Sequence, residues 1–152
     1  MNSPEIRVLG DDAATCAMLA DLLIETVAAG GSVSFMHPLS QDAAREFWCK
    51  SLAAAKRAER AVLGAWDGET LVGTVTLILD CPPNQPHRAE IAKLMIRLDH
   101  RGKGTATRLM RAAEKLAVEN GRTLLVLDIA SEEGAAGLYE KLGFTLTGEI
   151  PD

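Results

Sequence analysis

The sequence is short of the features that would place it in several large protein classes. Its three cysteines, Cys16, Cys49 and Cys81, are odd in number, far apart and outside any CxxC pattern. That argues against a disulfide framework and a zinc site, and it fits a reducing, cytoplasmic setting. No apolar run approaches the roughly 20 residues of a membrane span. The start, MNSPEIRVLG, has neither the apolar stretch of a signal peptide nor a glycine at position 2 for myristoylation. Positive charge is outnumbered: 16 Lys and Arg against 21 Asp and Glu leave a formal net charge of −5. That is the wrong balance for a protein that grips nucleic acid by its phosphates. Low-complexity tracts, internal repeats and linker-like segments are also missing. What is there is a chain of 152 residues, 47% hydrophobic, enough for a single domain over 1–152 with one real core.

Residues 5–9, EIRVL, alternate polar and apolar as a short strand does. Asp11 or Asp12 then stands where a helix needs its N-cap, ahead of Cys16, Leu19, Ala20, Leu23 and Val27 at steps of three and four. Gly30-Gly31 closes that helix, and the loop GGSVSFMHPLS carries enough apolar content to pack on something. Ser40 opens a second helix with Phe47, Leu52 and Ala55 facing inward. Two β-rich runs flank Asp67-Gly68, a hairpin signal, and a loop with three prolines leads into AEIAKLMIR. Three antiparallel strands in series is the simplest reading. A helix over 104–119 puts Ala106, Leu109, Met110, Ala113, Leu116 and Ala117 on one stripe and stops at Asn120-Gly121. TLLVLDI is continuously apolar, as a buried strand is, and should lie parallel to AEIAKLMIR after a right-handed crossover. A fourth helix with Ala135, Leu138, Tyr139 and Leu142 on one face ends at Gly143, and FTLTGEI is the last strand. The expected architecture is a mixed α/β (α+β) domain in the order β-α-α-β-β-β-α-β-α-β.

HRGKGTATRLM, residues 100–110, sets two glycines and a cluster of basic residues at the start of the third helix. Free N–H groups converge at such a point and the helix dipole adds about half a positive charge. Within 97–111, Arg97, His100, Arg101, Lys103, Arg108 and Arg111 stand against one acid, Asp99. An anionic ligand is the expectation. Walker A fails, because it needs Ser or Thr after its lysine, where Lys103 precedes Gly104; GxGxxG is a weak match, with Thr107 at its third glycine and an antiparallel entry. The bland alternative is a tight turn with solvated charges.

RGKGTA, Arg101 to Ala106, resembles the Q/R-x-x-G-x-G/A signature of the GNAT superfamily of acetyl-CoA-dependent N-acetyltransferases. LYEKLGF, Leu138 to Phe144, is similar to that family's helix–strand junction. LLIETVAAGGSVSFM and HRAEIAKLM also resemble stretches of the tabtoxin-resistance acetyltransferase group. The resemblance implies a GNAT-like mixed central sheet and acetyl-CoA as cosubstrate, with no metal. The backbone of Arg101, Gly102, Lys103, Gly104, Thr105 and Ala106 would then hold the pyrophosphate. Leu94, Met95 and Ile96 would offer main chain to the pantetheine arm. A main-chain N–H there would stabilise the oxyanion of the tetrahedral intermediate formed when a primary amine attacks the thioester directly.

Glu90 resembles the position of the general base in several family members. Such a base needs a pKa near working pH, so burial is expected to raise that of Glu90. Asp128, ending the next strand, is the second candidate, because ligands gather beyond the carboxyl ends of parallel strands. The bland readings are a solvent-facing residue paired with Arg88 or Lys93 for Glu90, and a cap or turn acceptor for Asp128. Tyr139, the chain's single tyrosine, matches the family's acid that protonates the departing thiolate; core packing is its other reading. The family often has an asparagine seven residues earlier, where Glu132 stands here and cannot donate, leaving Ser131 beside it as the substitute. A seventh strand would normally follow GEIPD. Its absence should leave FTLTGEI with an open edge, filled by another chain or in a longer form.

The acceptor side should be built by the first two helices and their loop, with Phe35, His37 and Trp48 lining it. Core positions for Phe35 and Trp48 and an exposed structural role for His37 compete with that reading. The implied partner is a small-molecule amine, carried as a cation, with no nucleic acid, no membrane and a homodimer in keeping with the open edge; free amino acid, polyamine, antibiotic and peptide N-terminus all stay open as acceptors. The rival class is a non-catalytic acyl-CoA-binding or dimeric interaction domain. A nucleotide-binding regulatory domain is a third.

Overall fold

The computed structural model describes residues 4–28, 39–80, 88–101, 104–122 and 124–127. Asp12 starts the first helix, α1 (Ala13–Ala28): its carboxylate accepts the Thr15 N–H at 3.0 Å and the Thr15 hydroxyl at 2.8 Å. Ser40 does the same for α2 (Gln41–Lys56), its Oγ accepting the Ala43 N–H at 3.1 Å. Both caps satisfy donors that the first helical turn leaves without partners. Five strands make one sheet in chain order: β1 (Glu5–Val8), β2 (Arg60–Asp67), β3 (Thr70–Ile78), β4 (Arg88–Ile96) and β5 (Leu124–Leu127). The first four are antiparallel; β5 is parallel to β4, reached through α3 (Thr105–Glu119). This is the expected order as far as β5. The fourth helix, the last strand and the Gly30-Gly31 stop lie outside the described residues.

Helices cover both faces of the sheet. On one, Leu19, Leu22 and Leu23 of α1 and Trp48 and Leu52 of α2 pack with Val62, Leu71 and Met95. On the other, Leu109, Met110 and Ala113 of α3 pack with Val72, Val75, Leu77, Ala89 and Ile91. A strand with helices on both sides has no wet face, which is why Leu71–Leu77 is buried without interruption. Each large side chain enclosed this way stabilises by roughly 1.5–3 kcal/mol. Gly73 serves the second layer by its lack of a side chain. A Cβ there would lie 2.7 Å from Ile96 Cδ1 and 3.2 Å from Leu109 Cδ1.

Two local details differ from expectation. Asp67 pairs with Thr70, so the hairpin loop is Gly68-Glu69, one residue later, with Gly68 at φ +63 as mirror-image turns require. A 3-10 turn, Leu98–His100, also intervenes between β4 and α3.

Candidate active site

α3 begins without a side-chain cap. Its N-cap is Gly104 at φ +81, and a Cβ built there would meet nothing within 4 Å. Glycine adopts that left-handed conformation freely, and here it leaves open space above the helix end. Among the described residues, no acceptor meets the N–H groups of Gly104, Thr105, Ala106 or Thr107. The first helix-type bond is Arg108 N–H to the Gly104 carbonyl at 3.1 Å. Thr105 adds a second signal: its side chain is 2% exposed and its Oγ1 has no hydrogen-bond partner. A buried hydroxyl left alone is costly, and the bare amides beside it are groups that favour an anion.

The basic residues divide. Arg97 pairs with Glu25 at 3.4 Å, and His100 sits between Asp99 at 2.8 Å and Asp67 at 3.3 Å. Arg108 donates to the Pro4 carbonyl, and Arg111 bridges to Glu114 at 2.9 Å. Arg101 is different. It is exposed, its Nε reaches the Ile96 carbonyl at 3.4 Å, and its terminal nitrogens have no acceptor among the described residues. The six-fold excess read from the sequence thus narrows, in the described residues, to Arg101. Gly102 and Lys103 lie outside them.

β4 carries the second feature. Thr76 pairs with Ala92 and Thr74 with Met95, so Lys93 and Leu94 together oppose Val75. This is a β-bulge, and Lys93 holds φ +55 in it, an unusual value for a residue with a Cβ. Strand pleating puts alternate residues on opposite faces, and one inserted residue reverses that parity. Ala89 and Ile91 face the α3 core; after the bulge, Leu94 and Ile96 do so and Met95 turns to the α1/α2 core. The register with β3 therefore skips Lys93 and Leu94. Pairing with β5 is described for Arg88–Ile91 alone, so the Leu94–Ile96 stretch has only β3 as a described neighbour.

Glu90 lies three residues before the bulge, half-buried, between Ile78 on β3 and Val126 on β5. Alternation with Ala89 and Ile91 puts it on the α1/α2 face. No hydrogen bond or ion pair engages its carboxylate among the described residues. On that face, beside the bulge, Thr76 Oγ1 is buried without a partner, a feature the sequence analysis missed. Lys93 Nζ stands 5.7 Å from the Phe47 ring centroid, and Phe47 meets Trp48 edge-on at 5.0 Å. Trp48 itself is fully enclosed in the core, its indole N–H without an acceptor. Of its two expected places, core and pocket lining, the fold puts it in the first. Phe35, His37, Asp128, Ser131 and Tyr139 lie outside the described residues. Among the described residues, Glu90, the bulge and Arg101 thus follow one another along β4 and the turn after it, ahead of the bare end of α3.

Residues 23–144 match the acetyltransferase (GNAT) family model. The chain belongs to the GNAT acetyltransferase family. N-acetyltransferase 8B of Homo sapiens is 37% identical to this GNAT chain over 83 residues, 53% of the chain and 37% of that protein. The chain spans 37 to 41% of the length of the curated relatives it matches. The protein yncA of Salmonella typhimurium, solved with its cofactor acetyl-CoA, superposes at TM-score 0.80 and 20% identity, covering 97% of this chain and 82% of its own. Ribosomal-protein-alanine N-acetyltransferase of Brucella melitensis superposes at TM-score 0.81 and 20% identity, covering 95% and 86%. At such identities these structures establish the fold. Among the described residues, no group of three or more His, Cys, Asp or Glu is placed to hold a metal, and no helix is long and apolar enough to cross a membrane.

Proposed function

We propose that this GNAT-family chain transfers the acetyl group of acetyl-CoA to a primary amine of a small molecule. The observation that carries the reading is the uncapped end of α3, with its bare amides, the partnerless Thr105 hydroxyl and the exposed Arg101 beside it. Acetyl-CoA would bring a thioester already activated for attack and a pyrophosphate of the charge that this end of the helix attracts.

In this reading the amides of Arg101 to Ala106, Gly102 and Lys103 included, hold the pyrophosphate. The main chain at Leu94, Met95 and Ile96, which follows the bulge, lines the pantetheine, with Ser131 opposite. One N–H of that segment faces the oxygen on which charge develops. Glu90 takes a proton from the acceptor ammonium, directly or through one water, so that the nitrogen lone pair attacks the acetyl carbon; Asp128 is the second candidate for that work. As the carbon–sulfur bond breaks, Tyr139 gives its phenolic proton to the leaving sulfur, and the second proton that the nitrogen sheds as the amide forms passes to solvent, from which Tyr139 is reprotonated. Phe35 and His37 line the acceptor side, and Trp48 supports it from the core. The likeness of LLIETVAAGGSVSFM to the tabtoxin-resistance group favours a small-molecule acceptor.

Thermal-shift titration with CoA, acetyl-CoA and ATP is the first test, followed by a panel of amino acids, polyamines and peptide N-termini scored by release of free thiol. Stabilisation by both CoA species and thiol release with at least one amine are expected. No stabilisation by either CoA species overturns the proposal. Stabilisation with no thiol release on any amine points instead to an acyl-CoA-binding module.

A further inference from the structure

Cys16 on α1 and Cys49 on α2 are 33 residues apart in the chain, yet their sulfurs lie 3.6 Å from one another across the helix pair. Both are free thiols, Cys16 buried and Cys49 exposed. A disulfide bond is about 2.05 Å long, so the gap to be closed is roughly 1.5 Å, within reach of a side-chain rotation on neighbouring helices. Neither thiol has any part in the proposed acetyl transfer. We propose that Cys16 and Cys49 form a reversible oxidation site, in which a low-molecular-weight disulfide converts the pair into an intramolecular bridge that staples α1 to α2.

The two sulfurs have unequal roles. Cys49, open to solvent, attacks one sulfur of the small disulfide as its thiolate and expels the other half as a thiolate, leaving a mixed disulfide. The Cys16 thiol then loses its proton to solvent, its sulfur attacks Cys49 Sγ, and the second half departs as a thiolate that takes up a proton. Two electrons pass from the pair to the small disulfide, which ends as two thiols. The Cys16 thiol is pushed up to about 11, chiefly by burial, then by Cys49 itself, with Asp12 and Asp11 adding to it. Cys16 is therefore the poorer first nucleophile and acts once Cys49 presents an electrophilic sulfur within contact distance.

The test uses the full chain under native conditions with oxidised glutathione, quenched by iodoacetamide and read by intact mass and peptide mapping. The expected product has lost two hydrogens, carries two fewer carboxamidomethyl groups than the reduced chain, maps to a Cys16–Cys49 peptide pair and reverts with dithiothreitol. Closing a loop of this length should raise Tm by ~5 °C or more. Cys49→Ala and Cys16→Ala should each abolish the bridge, while Cys81→Ala keeps it. Cys49 is exposed, so its variant reports even if Cys16→Ala folds poorly. Full alkylation of both cysteines after treatment, arrest at a glutathione adduct on Cys49, or a bridge that includes Cys81 overturns the proposal.

Discussion

Glu25 of α1 accepts the main-chain N–H of Leu98 at 2.9 Å, across 73 residues of chain. Its other oxygen meets the Arg97 guanidinium at 3.4 Å. One carboxylate thus ties α1 to the turn between β4 and α3, a few residues ahead of Arg101 and the bare helix end. If that end holds the pyrophosphate, Glu25 sets where the phosphate loop begins. Glu25→Ala should weaken CoA binding by about tenfold, equivalent to ~1.4 kcal/mol. Glu25→Gln keeps an acceptor for Leu98 and should restore most of the affinity. Titration calorimetry with CoA checks both, and unchanged binding in the alanine variant would show that the turn is held by other contacts.

Thr105→Val tests the partnerless hydroxyl. The swap is close in shape and removes a buried polar atom with no protein partner, so the fold should be as stable as before or more so. If the hydroxyl serves a phosphate oxygen, CoA affinity should drop by roughly tenfold to 100-fold, the worth of one hydrogen bond to a charged group. Thermal melts and CoA titrations on the same sample separate the two effects. Equal affinity would leave the hydroxyl without a ligand role.

Glu90→Gln preserves size and removes the proton acceptor. A general base typically contributes 10²–10⁴-fold, so thiol release with a competent amine should fall by ~100-fold or more while CoA binding stays intact. Tyr139→Phe should also lower turnover with CoA binding kept. Wild-type turnover in Glu90→Gln would move the role to Asp128 or to water.

Asp12 carries the clearest acid sensitivity of the described helix ends. The Thr15 hydroxyl first, and then the Thr15 N–H, hold its carboxyl below the usual value. A folded pKa below the unfolded one, about 3.9, means stability that is complete above the unfolded value and lost as the pH falls through the folded one. Asp12→Asn still caps but does not titrate. Its Tm should therefore fall less than that of the wild type between pH 6 and pH 2.5, as melts across that range would read. Identical pH profiles would show that the cap charge contributes nothing.

Gly73→Ala should disturb the α3 layer and press on the main chain of β4 at Met95. The new methyl meets Ile96 Cδ1 at 2.7 Å and the Met95 carbonyl oxygen at 3.2 Å; the first can rotate away, the second cannot. Overpacking of this kind costs roughly 1–3 kcal/mol. Urea denaturation should show a lower midpoint at an unchanged slope.

Much of this molecule could be read from the chain because the forces concerned act over four residues or fewer. Asp12 and Ser40 cap their helices from the adjacent turn, and α3's stripe of Leu109, Met110, Ala113 and Ala117 is buried where its spacing put it. The hairpin at Gly68 and the break at Asn120-Gly121 follow from the same short-range rules. The glycine pair ahead of α3 marked the proposed anion end for the same reason, since a helix start and its composition are contiguous.

The rest depended on how distant pieces meet. Nothing in AEIAKLMIR announces the bulge at Lys93–Leu94: no glycine or proline marks it, and its effect is to turn Met95 to the α1/α2 layer and Ile96 to the α3 layer, the reverse of plain alternation from Ala89 and Ile91. The cations that the chain offered as a group were divided by acids and carbonyls on other elements, Glu25, Asp67 and Pro4 among them. Cys16 and Cys49 read as scattered thiols until α1 and α2 packed and brought their sulfurs to 3.6 Å. Side-chain partners that lie tens of residues apart are set by the packing of whole helices and strands, and that information is spread over the entire core rather than held in any short run of residues.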